Sequence, residues 1–107
     1  MAKGILYVET WPSAPEREVE FHTWYDEIHL PEVVALEGFT AGRRLTPVNG
    51  DGPFVAIYEI EADDFQAVVD HMLEVHAQGG LRMSDSIQLD PEPSVRLLRQ
   101  TTVYAPP

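Results

Sequence analysis

The chain has 107 residues, which is enough for one domain over residues 1–107 with a modest core. Its 18 acidic and 7 basic residues give a net charge of −11, which disfavours nucleic acid and anionic membrane surfaces as partners. It has no cysteine, which excludes disulfides and thiolate chemistry, and no secretory or membrane-spanning apolar run, so we predict a cytoplasmic protein.

The chain opens with a predicted strand and a predicted helix. The run Gly4–Thr10 is rich in β-forming residues and carries apolar side chains on both faces, which indicates that both faces are covered. Ser13 followed by Glu16 is a capping-box pattern, which predicts that a helix begins there. Pro31 disfavours helical geometry at Leu30, so we expect the helix to stop or kink there, with a short further turn starting at the proline.

The predicted first helix has one strongly apolar face, because large apolar side chains recur along it at helical spacing. These side chains are Phe21, Trp24, Tyr25 and Ile28. The stretch 21–39 also holds two histidines and several carboxylates. It is therefore the part of the chain richest in groups that can do chemistry.

A hairpin is predicted next. Strands over Phe39–Val48 and Phe54–Glu61 flank the segment Asn49–Pro53, in which asparagine and glycine residues accept positive φ angles easily. The short turn and the two strand patterns together predict antiparallel pairing.

A second helix and a last strand complete the chain. Asp63 with Gln66 resembles a second capping box, and the pair at 79–80, both glycines, predicts the end of the helix. The inward face of this helix would carry Phe65, Val68, Val69, Met72 and His76. The connection Leu81–Pro93 contains apolar residues that need cover from a cavity mouth or a partner, and Ser94–Tyr104 is predicted as the final strand.

The predicted order is βαββαβ. This order is typical of the ferredoxin-like α+β fold, a four-stranded antiparallel sheet with two helices on one face. The other face of the sheet would be bare in a single chain, although every strand carries apolar residues on both sides. We therefore predict a homodimer that pairs sheet against sheet, as in a dimeric α+β barrel.

One motif resembles a known family. Residues 24–31 read Trp-Tyr-Asp-Glu-Ile-His-Leu-Pro, residues 36–39 read Leu-Glu-Gly-Phe, and Arg43 and Arg44 follow. This pattern resembles EthD-like members of the dimeric α+β barrel superfamily, in which an aromatic-rich helix ends in His-x-Pro and enters the second strand through Pro-Gly-Phe or a similar sequence. Glu37 stands where that proline usually lies. The resemblance implies a superfamily that includes polyketide cyclases, cofactor-free monooxygenases, decarboxylases, dehydratases, lactone isomerases and haem-degrading enzymes.

His29 is the first candidate for catalysis. It falls at the edge of the apolar face of the first helix, one turn from Tyr25. An imidazole at the rim of a buried face can act as a general acid or base near neutral pH. The alternative is a structural histidine whose ring bonds a backbone carbonyl and braces the bend at Pro31.

A metal site on the same helix is a weaker hypothesis. His22, Asp26 and His29 lie at i, i+4 and i+7, a spacing that can place two imidazoles and a carboxylate around a divalent ion. No second cluster of ligands accompanies them. We therefore predict no metal, and expect a solvated flank.

His76 continues the inward face of the second helix, where a polar group needs a partner or a ligand. It is either a site residue or a satisfied structural histidine, whereas His71 points away. Haem-binding relatives in the superfamily that the motif resembles ligate iron through a histidine on the second helix. The rest of that pattern is not evident in this sequence, so we predict no cofactor.

Aromatic side chains could line a cavity between the helices and the sheet, which would suit a flat, apolar small molecule; otherwise they fill the core. They are Tyr7, Trp24, Tyr25 and Tyr58. Arg43 and Arg44 point to opposite faces of their strand, so only one can face such a cavity and bind a carboxylate or enolate oxygen. We assign that role to Arg43; the alternative is a cross-strand ion pair with Glu59 or Glu9.

Together with the reactions that the EthD-like resemblance implies, these residues predict a small-molecule enzyme that performs cofactor-independent acid–base chemistry on an aromatic or polyketide-like substrate. Cyclisation, dehydration or decarboxylation would all fit. His29 or His76 would move the proton, Tyr7 or Tyr58 would hold an oxygen, and Trp24 would pack against the substrate ring. The competing hypotheses are a non-catalytic carrier of a hydrophobic metabolite and a haem-binding protein.

Overall fold

The computed structural model describes the whole chain, Met1–Pro107. One antiparallel sheet has the strand order β2-β3-β1-β4, formed by β1 (Lys3–Thr10), β2 (Phe39–Leu45), β3 (Phe54–Glu61) and β4 (Ser94–Arg99). The first helical run comprises α1 (Glu18–Trp24), a π-helical turn (Tyr25–His29) and α2 (Leu30–Val34), and the second helix is α3 (Phe65–Ala77). The predicted ferredoxin-like α+β fold is therefore confirmed, although β2 and β4 end earlier than predicted.

The first helical run starts later than predicted. A 3-10 turn over Pro15–Arg17 precedes α1, and no side-chain hydrogen bond caps either segment. The backbone N–H of Ser13 donates to the carbonyl of Ser86 at 2.6 Å. The predicted capping box of Ser13 and Glu16 is wrong, because Ser13 pairs with the distant connection between α3 and β4.

The same helical run passes through Pro31. A proline has no N–H to donate to the carbonyl four residues back, here that of Glu27. The N–H of Leu30 donates to the carbonyl of Tyr25, five residues back, which makes the turn up to His29 a π turn. α2 then carries the proline in its first turn, where a missing N–H is tolerated. Where we expected the helix to stop or kink, the helical run instead continues through one π turn.

α3 is capped at both ends. The Oδ1 atom of Asp64 accepts the N–H of Ala67 at 3.1 Å, so the capping residue is one position later than the predicted Asp63. At the other end, Gly79 has φ +77°, and the N–H of the glycine that follows donates to the carbonyl of Val75 at 2.8 Å. These are the contacts of a Schellman motif, and they confirm the predicted glycine stop.

Both helical runs pack on one face of the sheet, where alternate residues of β1 and β3 are buried. The buried strand residues on this face are Leu6, Val8, Thr10, Ala56, Tyr58 and Ile60. No helix in the chain combines the length and the apolar character that crossing a bilayer requires.

The opposite face of the sheet is partly exposed. Its half-buried apolar side chains are Ile5, Tyr7, Val55, Ile57 and Leu98. A cross-strand ion pair joins Arg43 Nη1 to Glu59 Oε2 at 3.5 Å on this face. Nothing in a single chain covers these groups, so the predicted homodimer remains a prediction.

Candidate functional site

An apolar cavity of about 330 Å³ lies between the sheet, the helices and the connection at residues 78–93, which we call the roof segment. Of its 17 lining residues 13 are hydrophobic, and none is lysine, arginine, aspartate or glutamate. The lining residues are Leu6, Val8, Thr10, Tyr58 and Val95 from the sheet; Tyr25, His29, Val33, Val69, Met72, Leu73 and His76 from the helices; and Leu81, Met83, Ile87, Leu89 and Pro93 from the roof segment. Of the apolar residues of this connection, Leu81 and Ile87 are buried at the cavity, whereas Met83 and Leu89 line it but remain 43% and 63% exposed.

Two other clefts are larger but differ in their walls. One of about 430 Å³ is bordered by residues that include Glu37, Asp63 and His71, and one of about 480 Å³ by residues that include Asp64 and Arg99. Fewer than half of the residues around either cleft are hydrophobic. The apolar cavity is therefore the site best suited to an organic ligand.

The π turn places His29 in the cavity wall. Successive residues of an α-helix are about 100° apart, so in a regular helix Trp24 and His29, five positions apart, would lie on different sides. The wider turn lets the imidazole of His29 stack on Trp24, with ring centroids 4.7 Å apart and an interplanar angle of 22°. The ring of Tyr25 meets the same imidazole edge-on at 5.0 Å. Two aromatic rings therefore fix the direction in which the imidazole points.

Burial sets the charge of His29. Removal from water lowers its pKa from 6.5 to about 4; the carboxylate of Glu32 opposes this shift, and His76 adds to it. The ring is therefore neutral at physiological pH. The Nδ1 atom of His29 is enclosed and has no hydrogen-bonding partner. The alternative prediction, a structural histidine that bonds a backbone carbonyl, is therefore not observed at this atom. Nε2 is then the nitrogen through which His29 can meet a ligand.

Two tyrosines form a hydroxyl pair in the same wall. The hydroxyl of Tyr58 donates to that of Tyr25 at 3.2 Å, and both side chains are almost fully buried. Burial raises the pKa of both phenols, so both keep their protons. The Cζ atom of Arg44 lies 4.6 Å from the centre of the Tyr25 ring, and its charge opposes the rise in the pKa of Tyr25.

Arg44, not Arg43, lies on the helix side of β2. Its Nη1 donates to Asp26 Oδ1 at 2.7 Å, and its Nη2 lies 2.9 Å from His22 Nδ1. Because a guanidinium has no acceptor, His22 must accept this bond through an unprotonated Nδ1. Arg43 pairs with Glu59 on the other face. The expectation that Arg43 faces the cavity is therefore wrong, and the predicted alternative of an ion pair with Glu59 is what the structure contains.

The same contacts separate the residues of the metal hypothesis. His22 and Asp26 bond Arg44, whereas His29 faces the cavity. No group of three or more histidine, cysteine, aspartate or glutamate side chains is placed to hold a metal ion.

Of the other predicted site residues, His76 reaches the cavity and Tyr7 does not. His76 is exposed and lines the cavity edge near the end of α3. Tyr7 lies on the opposite face of the sheet, where its hydroxyl donates to Glu9 Oε2 at 2.9 Å. Alternate residues of a strand face opposite sides, so Leu6 and Val8 occupy the cavity side. The expectation that Tyr7 lines the cavity is therefore wrong.

The roof segment is joined to the first helical run by polar contacts that the sequence did not predict. Trp24 Nε1 donates to the carbonyl of Arg82 at 2.8 Å, and the carboxylate of Glu32 accepts both N–H and Nε–H of Arg82, each at 2.8 Å. The bonds from Arg82 lower the pKa of Glu32. Arg17, in the 3-10 turn that precedes α1, also pairs with Asp85 of the roof segment at 2.7 Å. Trp24 itself is not among the residues that line the cavity, so the expectation that it forms part of the cavity surface is wrong.

Comparison with known proteins supports the fold. Neither a scan against protein-family models nor a search of curated proteins found a match. Among solved structures, that of Rv0793 from Mycobacterium tuberculosis is similar, with a TM-score of 0.59 and 15% sequence identity. The similarity covers 95% of this chain and 99% of that chain. At this identity it establishes the ferredoxin-like α+β architecture.

Proposed function

We propose that the protein binds an uncharged, largely apolar small molecule in the cavity and performs cofactor-independent acid–base chemistry on it, with His29 moving the proton. The observation that carries this proposal is a neutral imidazole in the wall of a largely apolar cavity, next to a tyrosine pair. An aromatic or polyketide-like compound would fit such walls, as in the EthD-like proteins that the motif at residues 24–31 resembles.

The walls determine the charge of the ligand. An isolated charge loses several kcal/mol of hydration when it enters an apolar site, unless an opposite charge meets it there. The lining residues include no lysine, arginine, aspartate or glutamate, and His29 is neutral at physiological pH. A neutral ligand is therefore favoured over a carboxylate or an amine.

The two histidines have different roles in this proposal. His29 is always in its proton-accepting form at physiological pH because burial lowers its pKa to about 4. That value makes it a weak base in the empty cavity, but an anion formed beside it would stabilise the imidazolium. His76 lies at the exposed edge of the cavity, where its imidazole is in contact with water.

A non-catalytic carrier is the second candidate, and one observation favours it. No hydrogen-bonding partner orients Nδ1 of His29, whereas general bases commonly have their second ring nitrogen bonded to a carboxylate or a carbonyl. In a carrier, the same imidazole would serve only as a polar contact with the ligand.

Hydrogen exchange of a probe ketone separates the two candidates. The probe is 2-tetralone, a neutral aromatic ketone with acidic hydrogens next to its carbonyl, and mass spectrometry in D₂O measures its deuterium uptake. The enzyme hypothesis expects the protein to accelerate uptake and His29→Gln to abolish the acceleration without abolishing binding. The exposed His71→Gln serves as the control. Binding without acceleration would identify a carrier, and failure to bind the probe would overturn the choice of this cavity.

We also propose that two copies associate through the exposed sheet face. Half-buried apolar side chains on that face, such as Ile5, Ile57 and Leu98, support this proposal, because burial removes apolar surface from water. Sedimentation equilibrium at micromolar concentration should yield the mass of two chains. Ile57→Lys should reduce it to one chain, whereas the exposed Val19→Lys on α1 should not. A single-chain mass for the unmodified protein would refute the proposal.

A further inference from the structure

The tyrosine pair in the cavity wall has one O–H donor for which the protein provides no acceptor. Its two hydroxyls share one hydrogen bond of 3.2 Å, and no other protein group bonds either of them. Whichever hydroxyl donates in that bond, one O–H hydrogen is left over. Both tyrosines line the cavity and are almost fully buried. A buried donor without an acceptor is destabilising by about 1–3 kcal/mol, so this hydrogen calls for a partner inside the cavity.

We infer that the Tyr25 hydroxyl binds a carbonyl oxygen of the ligand, and that the cavity takes a neutral ketone or a related carbonyl compound. This inference rests on the proposed use of the cavity as the ligand site. It specifies the class of ligand, because a hydrocarbon would leave the O–H unpaired and an amine cation would meet no counter-charge.

Two contacts favour Tyr25 over Tyr58 as the outward donor. Tyr58 donates to the oxygen of Tyr25, and a hydroxyl that accepts a hydrogen bond becomes a stronger donor itself. The guanidinium of Arg44 lies over the Tyr25 ring at 4.6 Å and draws electron density from it. Tyr58 has no such cation above its ring among the cation–π contacts of the chain.

Arg44 acts as a positioning residue, since it does not line the cavity. Its side chain is only 13% exposed and is fixed by bonds to Asp26 at 2.7 Å and to His22 at 2.9 Å. A cation held in this way keeps a constant position behind the Tyr25 ring. We expect it to strengthen the Tyr25 donor without touching the ligand.

The donor and the imidazole are neighbours, since the rings of Tyr25 and His29 are 5.0 Å apart. With the carbonyl oxygen on Tyr25, the adjacent C–H would face the imidazole. His29 Nε2 takes that proton, the C–H electron pair forms the C=C bond of the enolate, and the carbonyl π pair moves to the oxygen that Tyr25 binds. Return of a proton from the imidazolium restores the ketone, so no oxidant or further reactant is needed.

Paired probes test the inference without knowledge of the natural ligand. 2-Tetralone and tetralin share one ring skeleton, and only the former has a carbonyl. Calorimetry measures the ratio of their dissociation constants for the unmodified protein and for Tyr25→Phe, Tyr58→Phe and Arg44→Met. Infrared spectroscopy measures the carbonyl stretch of bound 2-tetralone in each protein.

In Tyr25→Phe we expect the preference for 2-tetralone over tetralin to fall about tenfold, with tetralin binding unchanged. Tyr58→Phe should retain most of the preference, and Arg44→Met should move the carbonyl stretch towards its value in an apolar solvent. An unchanged ratio in Tyr25→Phe overturns the inference while the cavity proposal stands. A lost preference in Tyr58→Phe but not in Tyr25→Phe overturns the assignment to Tyr25. If neither probe binds the unmodified protein, the proposed function itself fails.

Discussion

Burial of a neutral His29 makes part of the folding stability depend on pH. In the folded chain its pKa is lowered to about 4, whereas 6.5 is the value without burial. Between these pH values the unfolded chain binds more protons than the folded chain, so the free energy of unfolding must fall as the pH falls through that window. The perturbation that reveals this dependence is His29→Gln, which removes the titrating ring.

The size of the effect follows from the two pKa values. Between pH 7 and pH 5 the ring accounts for a loss of about 2 kcal/mol in the free energy of unfolding, and below pH 4 for about 3 kcal/mol. Other groups also titrate in this range, but they are common to both proteins. The difference between the unmodified protein and His29→Gln should therefore change by about 2 kcal/mol from pH 7 to pH 5.

Urea unfolding followed by circular dichroism at pH 5, 6 and 7 provides these free energies, and NMR of the imidazole protons yields the pKa of His29 directly. His71→Gln is the matched control, because His71 is exposed on α3 and its replacement should leave the pH dependence unchanged. A folded-state pKa of His29 at or above 6.5 would refute the reasoning, as would parallel pH profiles for the unmodified protein and His29→Gln.

Two further substitutions test the local geometry. Gly38→Ala should lower the free energy of unfolding by about 3 kcal/mol in urea titrations, because φ is +95° and an added Cβ would lie 2.5 Å from a methyl of Val68. Gly50→Ala, with φ +82° and open space around it, should lower it by only about 1 kcal/mol; equal effects would contradict the role of Val68. Asp64→Ala should remove the cap of α3 and lower the free energy of unfolding by about 1 kcal/mol, with Asp63→Ala as a near-neutral control. A larger loss in Asp63→Ala than in Asp64→Ala would show that the cap is misassigned.

The hairpin was predictable because local chemistry determines it. The strand Phe54–Glu61 has the predicted bounds, and the turn before it contains two glycines with positive φ, Gly50 and Gly52. The Asn49 side chain accepts the N–H of Asp51 at 3.1 Å, which is the asparagine turn contact. None of these features depends on distant parts of the chain.

The placement of Arg43 and Arg44 was not predictable, because it depends on an irregularity of β2. The register shifts between Phe39 and Ala41, so two residues of β2 oppose one of β3 at this bulge. Counting by twos from the buried Phe39 puts Arg43 on the helix side. The bulge reverses that parity and brings Arg44 there. Such a shift is a property of the pairing between β2 and β3, so alternation along β2 alone does not reveal it.

The π turn was partly predictable. Pro31 signalled a disturbed helix, but a proline can end, kink or widen a helix, and packing chooses among these. Here the stack of His29 on Trp24 and the contact with Tyr25 accompany the wide turn. Arg82 donates to Glu32 from 50 residues away in the sequence, so no local pattern could reveal this bond.

Because Trp24 stacks on His29, the fluorescence of Trp24 depends on the state of the imidazole. Of its two tryptophans, Trp11 is 45% exposed and reports on solvent, whereas Trp24 is 6% exposed. An excited indole loses its emission to an adjacent imidazolium but much less to a neutral imidazole. Trp24 emission should therefore report the protonation state of His29, and with it the arrival of a proton from a bound compound. Trp24 also donates a hydrogen bond from its indole N–H to the carbonyl of Arg82 in the roof segment. Movement of the roof segment would alter this bond and should therefore shift the emission spectrum of Trp24.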